Sequence, residues 1–441
     1  MNGIRKLFIR NTEMGLLIAA SIVVAVLLVS LELGRNQVLT TDILWLIGGF
    51  IGVFTMAHIA MCFIAPYADQ ILLPIAALLN GIGLVVIYRL DLTTEMGLAT
   101  RQVMWSFVGV ALLIAVLLAL KDHRSLTRYS YLLGLIGLIL LALPLVWPTG
   151  NTVQSDARIW ISIAGFSIQP GEFSKILLLM FFAQLLSNKR SLFNMAGHRF
   201  MGLEFPRLRD LAPILMVWAI AILIMAASND FGPALLLFST VLGMMFLSTG
   251  RTSWLLIGTV LVGLGGTAVY AVSDKIQTRV HNFMDPLADF HNSGYQLSQS
   301  LFALSSGGIT GAGLGEGYPT LIPVVWTDFI LSAIGEELGL AGLTAVLIAF
   351  ALFISRIFKT SLIARDTYGK LLASGLALTI TMQIFVVVGG ISAMLPMTGL
   401  TTPFMSAGGS ALMANYMLLA IVLRISHDAR KPAVTVSGEV K

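Results

Sequence analysis

Glu172 and Lys175 stand three residues apart in Gln169-Pro170-Gly171-Glu172-Phe173-Ser174-Lys175, at the start of an apolar stretch. On a helix that spacing puts both side chains on one face, where they can pair. Pro170 suits the first turn, because its missing N–H would have no partner there. The pair reads either as a structural ion pair or as part of a polar site. Arg158 and Trp160, just upstream, favour the site. Asp230, in Asn229-Asp230-Phe231-Gly232, and Asp328 both precede apolar stretches, where a carboxylate caps a helix and favours its dipole. Glu336 and Glu337 lie deeper, so at least one should face the interior. Asp285 and Asp289 are four apart in a partly apolar segment that continues through Gly294-Tyr295-Gln296, and both residue types suit turns. The glycine-rich run 307–315 follows no strand, which excludes a dinucleotide fold, but its backbone N–H groups could approach an anion.

The elements that hold these residues follow from composition. Of 441 residues, 57% are hydrophobic and 11% charged. A soluble domain carries roughly 25% charged residues. Soluble enzymes, disordered tails and nucleic-acid binders are thereby excluded. The single cysteine, Cys62, allows no intrachain disulfide and no multi-thiolate site, and six His make a His/Cys metal cluster a poor expectation.

A helix needs roughly 20 apolar residues to cross the hydrocarbon. Twelve segments qualify: 14–32, 43–65, 70–88, 102–120, 129–147, 169–186, 210–228, 231–248, 252–272, 328–354, 369–392 and 403–424. They are apolar all round, which fits helices and not a β-barrel. The fold expected is an all-α polytopic membrane bundle. With the N-terminus inside, 20 of the 27 Lys and Arg fall on the inner side, six outside, and Lys175 within a span. That asymmetry puts both termini in the cytoplasm. The first span, behind Arg5, Lys6 and Arg10, reads as an uncleaved helix because no small-residue cleavage site follows it. The one long connection, 273–327, lies outside, and its mixed composition predicts partial order with short helices. The tail 425–441 is expected to be disordered. Ionisable residues within spans cost at least ~2.5 kcal/mol at mid-membrane and so mark function by default.

Taken together these segments resemble the SEDS family of bacterial cell-wall polymerases, the RodA/FtsW/SpoVE group. The resemblance rests on Arg158-Ile-Trp160-Ile and on Phe166-Ser-Ile-Gln169-Pro170-Gly-Glu172-Phe-Ser-Lys175. It continues through Asp230-Phe-Gly232, Asp289 with Tyr295-Gln296, Thr327-Asp328-Phe-Ile330 and Gly335-Glu336-Glu337-Leu-Gly339. It closes with Leu395-Pro396-Met-Thr-Gly399-Leu-Thr-Thr-Pro403-Phe-Met-Ser406-Ala-Gly408-Gly409-Ser410. It implies a ten-helix core over 70–424, with residues 1–69 as a two-helix N-terminal addition. The addition and Leu79-Asn80-Gly81-Ile-Gly83-Leu84 are similar to the RodA-like members of actinobacteria. Gly171 and Ala407 depart from the family's usual Ser and Tyr.

The family resemblance implies a peptidoglycan glycosyltransferase. It would polymerise lipid II at the outer face of the cytoplasmic membrane, for elongation rather than division, beside a class B penicillin-binding protein. Asp289 matches the family's essential Asp and is assigned as catalytic, either as general base or as ligand of a divalent cation, Mg²⁺ or Mn²⁺. Arg158, Gln169, Glu172, Lys175, Tyr295, Gln296, Asp328 and Ser406 are the expected substrate-binding residues, with Arg279 a further outer cation. Asp289 should stand beside a lipid-facing cleft. A lipid-linked precursor flippase and a non-catalytic scaffold for a transpeptidase are the competing readings. The singled-out charges lie at the outer end, whereas alternating access calls for a midplane site.

Overall fold

The computed structural model describes residues 8–34, 40–147, 157–163, 166–194, 198–200, 203–205 and 208–432. In hydrocarbon each backbone N–H and C=O must be satisfied within its own segment, and these sequences do so as helices. The first five are α1 (Asn11–Gly34), α2 (Thr41–Ile64), α3 (Leu72–Thr94), α4 (Leu98–Ala119) and α5 (Ser130–Val146), with a single turn at Ser125–Arg128 before α5. Then come α6 (Pro170–Asn194), α7 (Leu208–Ala227), α8 (Phe231–Thr249) and α9 (Ser253–Val272). The outer connection contains α10 (Asp274–Met284) and α11 (Tyr295–Gly307), and the chain ends with α12 (Ile330–Glu337), α13 (Gly339–Ile363), α14 (Thr367–Ile391) and α15 (Gly409–Arg430). Each of the twelve expected spans contains a helix, although the last, expected from 403, begins only at Gly409, and among the described residues nine helices are both long and apolar enough to cross a membrane.

Two antiparallel hairpins interrupt the all-helical pattern. β1 (Ile161–Ile163) pairs with β2 (Phe166–Ile168), and β3 (His198–Phe200) with β4 (Leu203–Phe205). Both lie in connections outside the hydrocarbon, where water can satisfy a sheet edge.

Burial sorts the helices. In the most apolar window of α3, 89% of residues are buried, and in α15 83%, so these form the centre. The corresponding share for α9 is 6%, which places α9 at the periphery. Gly81 of α3 lets α1 and α2 approach closely: a Cβ there would come within 2.2 Å of Val24 and 3.0 Å of Phe50. The N-terminal helices are locked at their inner end by Arg10, which is wholly buried. Its guanidinium pairs with Glu13 and donates to the carbonyls of Ala65 (3.1 Å), Ala68 (2.9 Å) and Asp69 (3.1 Å). Glu13 also pairs with His58 at 2.7 Å.

Two expected boundaries are corrected. The span 328–354 is two helices, α12 and α13, broken at Leu338–Gly339, where Gly339 has φ +66°. The glycine-rich run repairs the break. Ala312 and Gly313 donate to the carbonyls of Glu336 and Glu337, and Leu340 and Ala341 donate to Gly308 and Ile309. The tail is also shorter than expected, because α15 continues to Arg430 and residues 425–430 are helical. Contacts hold that last stretch: Arg424 donates to the Leu117 carbonyl at 2.5 Å and Asp428 bonds His123. Residues 433–441 of the expected tail lie outside the described residues.

His123 is the hub of the inner face. Its Nδ1 meets Asp428 at 2.6 Å and its Nε2 meets Asp366 at 2.8 Å, with Arg124 also on Asp366 at 3.4 Å. Burial alone would lower the imidazole pKa, but the two carboxylates outweigh it and push it up to about 9. The stabilisation is therefore fully present below pH 6.5 and is lost as pH rises through about 9. At roughly 1.4 kcal/mol per unit it is worth on the order of 3 kcal/mol. Thermal melting in detergent should show stability falling over this window. His123→Gln should lower the melting temperature at neutral pH and flatten the pH dependence; an unchanged slope in the variant contradicts the assignment.

Candidate active site

The β1–β2 hairpin delivers the chain to the outer start of α6, where the Gln169 N–H donates to Ser410 Oγ at 2.9 Å. One turn in, Lys175 Nζ meets Glu172 Oε2 at 2.6 Å, and both side chains are largely buried. The pair lines a narrow cavity of about 30 Å³ that also receives Gln169 and Asp230 and reaches Thr240 and Thr379. That is room for a water or two. Gly171 lines this cavity too, and a Cβ there would meet only Leu141 at 3.8 Å, so the departure at this position removes no packing.

Asp230 occupies the N-cap position of α8, but its side chain makes no capping bond, which corrects the simple cap reading. Burial, and then the charge of Glu172, push its carboxyl up to about 6, against the pull of Lys275 and Arg279. Asp328 is likewise no cap, since that position belongs to Phe329. It accepts from Thr327 Oγ1 at 2.7 Å. Arg279 lies in the field of both Asp230 and Asp328 and donates to the Thr398 carbonyl at 3.3 Å.

A second cavity, of about 560 Å³, opens above this floor, and Lys275, Arg279, Asn282, Ser293 and Gln296 line it. Asp289 stands behind its wall, partly exposed. Its Oδ2 accepts from the N–H and hydroxyl of Ser293 at 3.1 and 2.6 Å, and its Oδ1 accepts from Asn292 at 2.8 Å. Asn282 Nδ2 donates in turn to the Ser293 carbonyl at 2.8 Å. Asp289 is thus one hydrogen bond from the cavity rather than inside it. These bonds, Ser293 first, hold its carboxyl below the ordinary value, so it is ionised at neutral pH.

Several expected residues fall elsewhere. Arg158 is exposed and is tied to the site only through its backbone, which donates to Ser228 at 3.1 Å. Tyr295 packs its ring on Phe290 at 5.4 Å. Gln296 reaches the cavity while donating to the Pro323 carbonyl at 2.8 Å. The Ser406 hydroxyl is spent on backbone, donating to Thr327 and accepting from Thr402. Ala407 bonds the Trp326 carbonyl through its N–H. Glu336 and Glu337 are both buried. Glu337 pairs with Arg89 at 2.9 Å, and the anion met by the glycine-rich run is its carboxylate, to which Gly315 donates at 3.1 Å.

Lys275, Asn282 and Ser293 were not singled out from sequence. A signal for the first two exists: Lys275, Thr278, Arg279 and Asn282 recur at helical spacing, which makes one polar face of α10.

The fold and site define a multi-pass membrane protein with a polar chamber at its outer end. Residues 69–431 match the cell cycle protein family that groups FtsW, RodA and SpoVE, and the chain belongs to that family. It is similar to the peptidoglycan glycosyltransferase RodA of Mycobacterium tuberculosis, 47% identical over 432 residues, 97% of this chain and 92% of the relative. Stage V sporulation protein E of Bacillus subtilis is 31% identical over 373 residues, 82% of this chain and 98% of the relative. A chain in the structure of a peptidoglycan synthase complex that coordinates polymerization and crosslinking superposes with TM-score 0.67 at 25% identity, covering 83% of this chain and 99% of that one. A mutant of the rod shape determining protein RodA of Thermus thermophilus shares the fold, with TM-score 0.59 at 24% identity over 83% of this chain and 99% of that one. The chain is a multi-pass protein of the bacterial cytoplasmic membrane.

The Ser293 hydroxyl and N–H do most to stabilise the Asp289 carboxylate. Ser293→Ala should move the Asp289 pKa up toward 3.8, and with it the acid limb of the pH–rate profile. An acid limb that stays in place would show that Asp289 does not govern it.

Proposed function

We propose that this chain polymerises lipid II into glycan strands at the outer face of the membrane, with Asp289 as the general base. It is a peptidoglycan glycosyltransferase, as its relatives are named. In the reaction a sugar hydroxyl attacks the anomeric carbon of a second, lipid-linked sugar. The anomeric C–O bond to pyrophosphate breaks, the hydroxyl proton passes to a carboxylate, and polyprenyl pyrophosphate leaves. One observation carries the reading: a single cavity joins Ser293, which bonds an ionised carboxylate, to two cations, Lys275 and Arg279. The first side can receive the proton and the second can stabilise the departing anion. Asp289 takes the proton when the acceptor hydroxyl replaces Ser293 or Asn292 on its oxygen. Lipid pyrophosphate already carries the activation, so no nucleotide site is needed.

A divalent cation would serve the same charge. Among the described residues, the group that brings three ligand atoms together is Asp122, His123 and Asp428 on the inner face, not the outer acids. Among the described residues the outer acids thus form no three-ligand cage. Mg²⁺ is often held by one or two carboxylates plus substrate phosphates, which leaves Asp274, on the cavity wall, as the place to look. A class B penicillin-binding protein as crosslinking partner is supported by the likeness to a synthase complex.

Purified protein with such a partner should make glycan from lipid II in detergent. Asp289→Asn should lose about 10²–10⁴-fold of that rate while melting like the parent. Equal polymerisation by the variant removes Asp289 from the mechanism. Movement of labelled lipid II across liposomes without polymer would replace the reading with a flippase.

A further inference from the structure

Beside the polar chamber lies another cavity, of about 540 Å³, framed by Ala226, Phe231, Ala268, Val269 and Val272. These residues come from the end of α7, the start of α8 and the last turns of α9. The two cavities share Asn229, Asp274 and Lys275. Lys275 Nζ donates to the Asn229 carbonyl at 3.3 Å, so its ammonium stands at the threshold between a polar chamber and an apolar groove. The groove's outer wall, α9, is the least buried span, and Val272 is 86% exposed. In a bilayer that wall faces lipid.

The order along the site is therefore fixed. Ser293, which bonds the Asp289 carboxylate, and Asn282, which bonds Ser293, line one end, Arg279 and Lys275 follow on one face of α10, and the groove leads out beyond Lys275. A polyprenyl pyrophosphate has the same order of parts: a reacting sugar carbon, an anionic bridge, a hydrocarbon tail. On the reading that this chain transfers glycosyl groups, we propose that Lys275 binds the pyrophosphate of the donor and that the groove between α7 and α9 leads its tail into the bilayer. When the anomeric C–O bond breaks, its electron pair stays on the phosphate oxygen. The Lys275 ammonium keeps its protons and compensates the added charge. Asp274 also lines both cavities.

Binding of two probes to the full chain in detergent, by native mass spectrometry, separates head from tail. Inorganic pyrophosphate tests the cations alone, and undecaprenyl pyrophosphate tests cations and groove. Lys275→Ala should weaken both by roughly tenfold or more, the worth of one charge-assisted hydrogen bond, and Lys275→Arg should restore most of it. Val269→Trp fills the groove. It should weaken undecaprenyl pyrophosphate by roughly tenfold and leave inorganic pyrophosphate within about twofold. Unchanged binding in Lys275→Ala overturns the proposal, as does equal weakening of both probes in Val269→Trp. Lys275→Gln serves if the alanine variant does not melt like the parent. A wild-type chain that binds the probes in this pattern yet makes no glycan from lipid II overturns the glycosyltransferase reading and not the binding site.

Discussion

A charge taken into a bilayer must bring its own partner. Hydrocarbon offers no hydrogen bonds, and breaking a buried pair strands the remaining charge at a cost of roughly 3–5 kcal/mol. Three deep charges obey that rule. Arg10 is sealed by Glu13 and four carbonyls, Glu337 is shared between Arg89 and Gly315, and Lys175 closes on Glu172. The first two join helices that composition alone would let slide: Arg10 ties the N-terminal pair to the chain around residue 69, and Arg89 ties α3 to the broken helix α12–α13. The third stays at the mouth of a cavity. Placed there, the same chemistry that holds the bundle becomes the floor of a site.

That floor is not neutral. Glu172 and Asp230 face the same narrow cavity, and the burial of Asp230 is only partly offset by Lys275 and Arg279. The acids of the inner layer thus steady the cations of the outer one. The chamber can present positive charge to an anionic substrate because its own negative charge is held underneath. The apolar wall on the α9 side follows from a separate fact, that α9 packs against little else.

Much of this was legible before any coordinates. The helical membrane bundle and the Glu172–Lys175 pair follow from hydropathy and i,i+3 spacing, because these depend on local sequence. The ordering of the outer connection into α10 and α11 was legible from its composition. The break at Leu338–Gly339 was not, since hydropathy runs through it and the bonds that permit it come from residues 307–315. Nor was the role of those glycines, which meet an anion as expected, but one belonging to this chain. Ser406 and Arg158 belong to recognisable motifs, yet the Ser406 hydroxyl goes to backbone and Arg158 points outward. Lys275 escaped notice because a single cation in an outer loop is ordinary. Only the joining of two cavities at its side chain distinguishes it.

The account's central claim is spatial: the carboxylate that takes the proton stands one hydrogen bond, through Ser293, from the chamber whose wall carries the cations that take the pyrophosphate. A structure of this chain with bound lipid II measures that directly. The account predicts the acceptor hydroxyl within hydrogen-bond reach of Asp289, about 2.6–3.2 Å, or one water away. It predicts the pyrophosphate on the Arg279 side. A headgroup seated away from the chamber, or with its phosphates against Asp289, contradicts it.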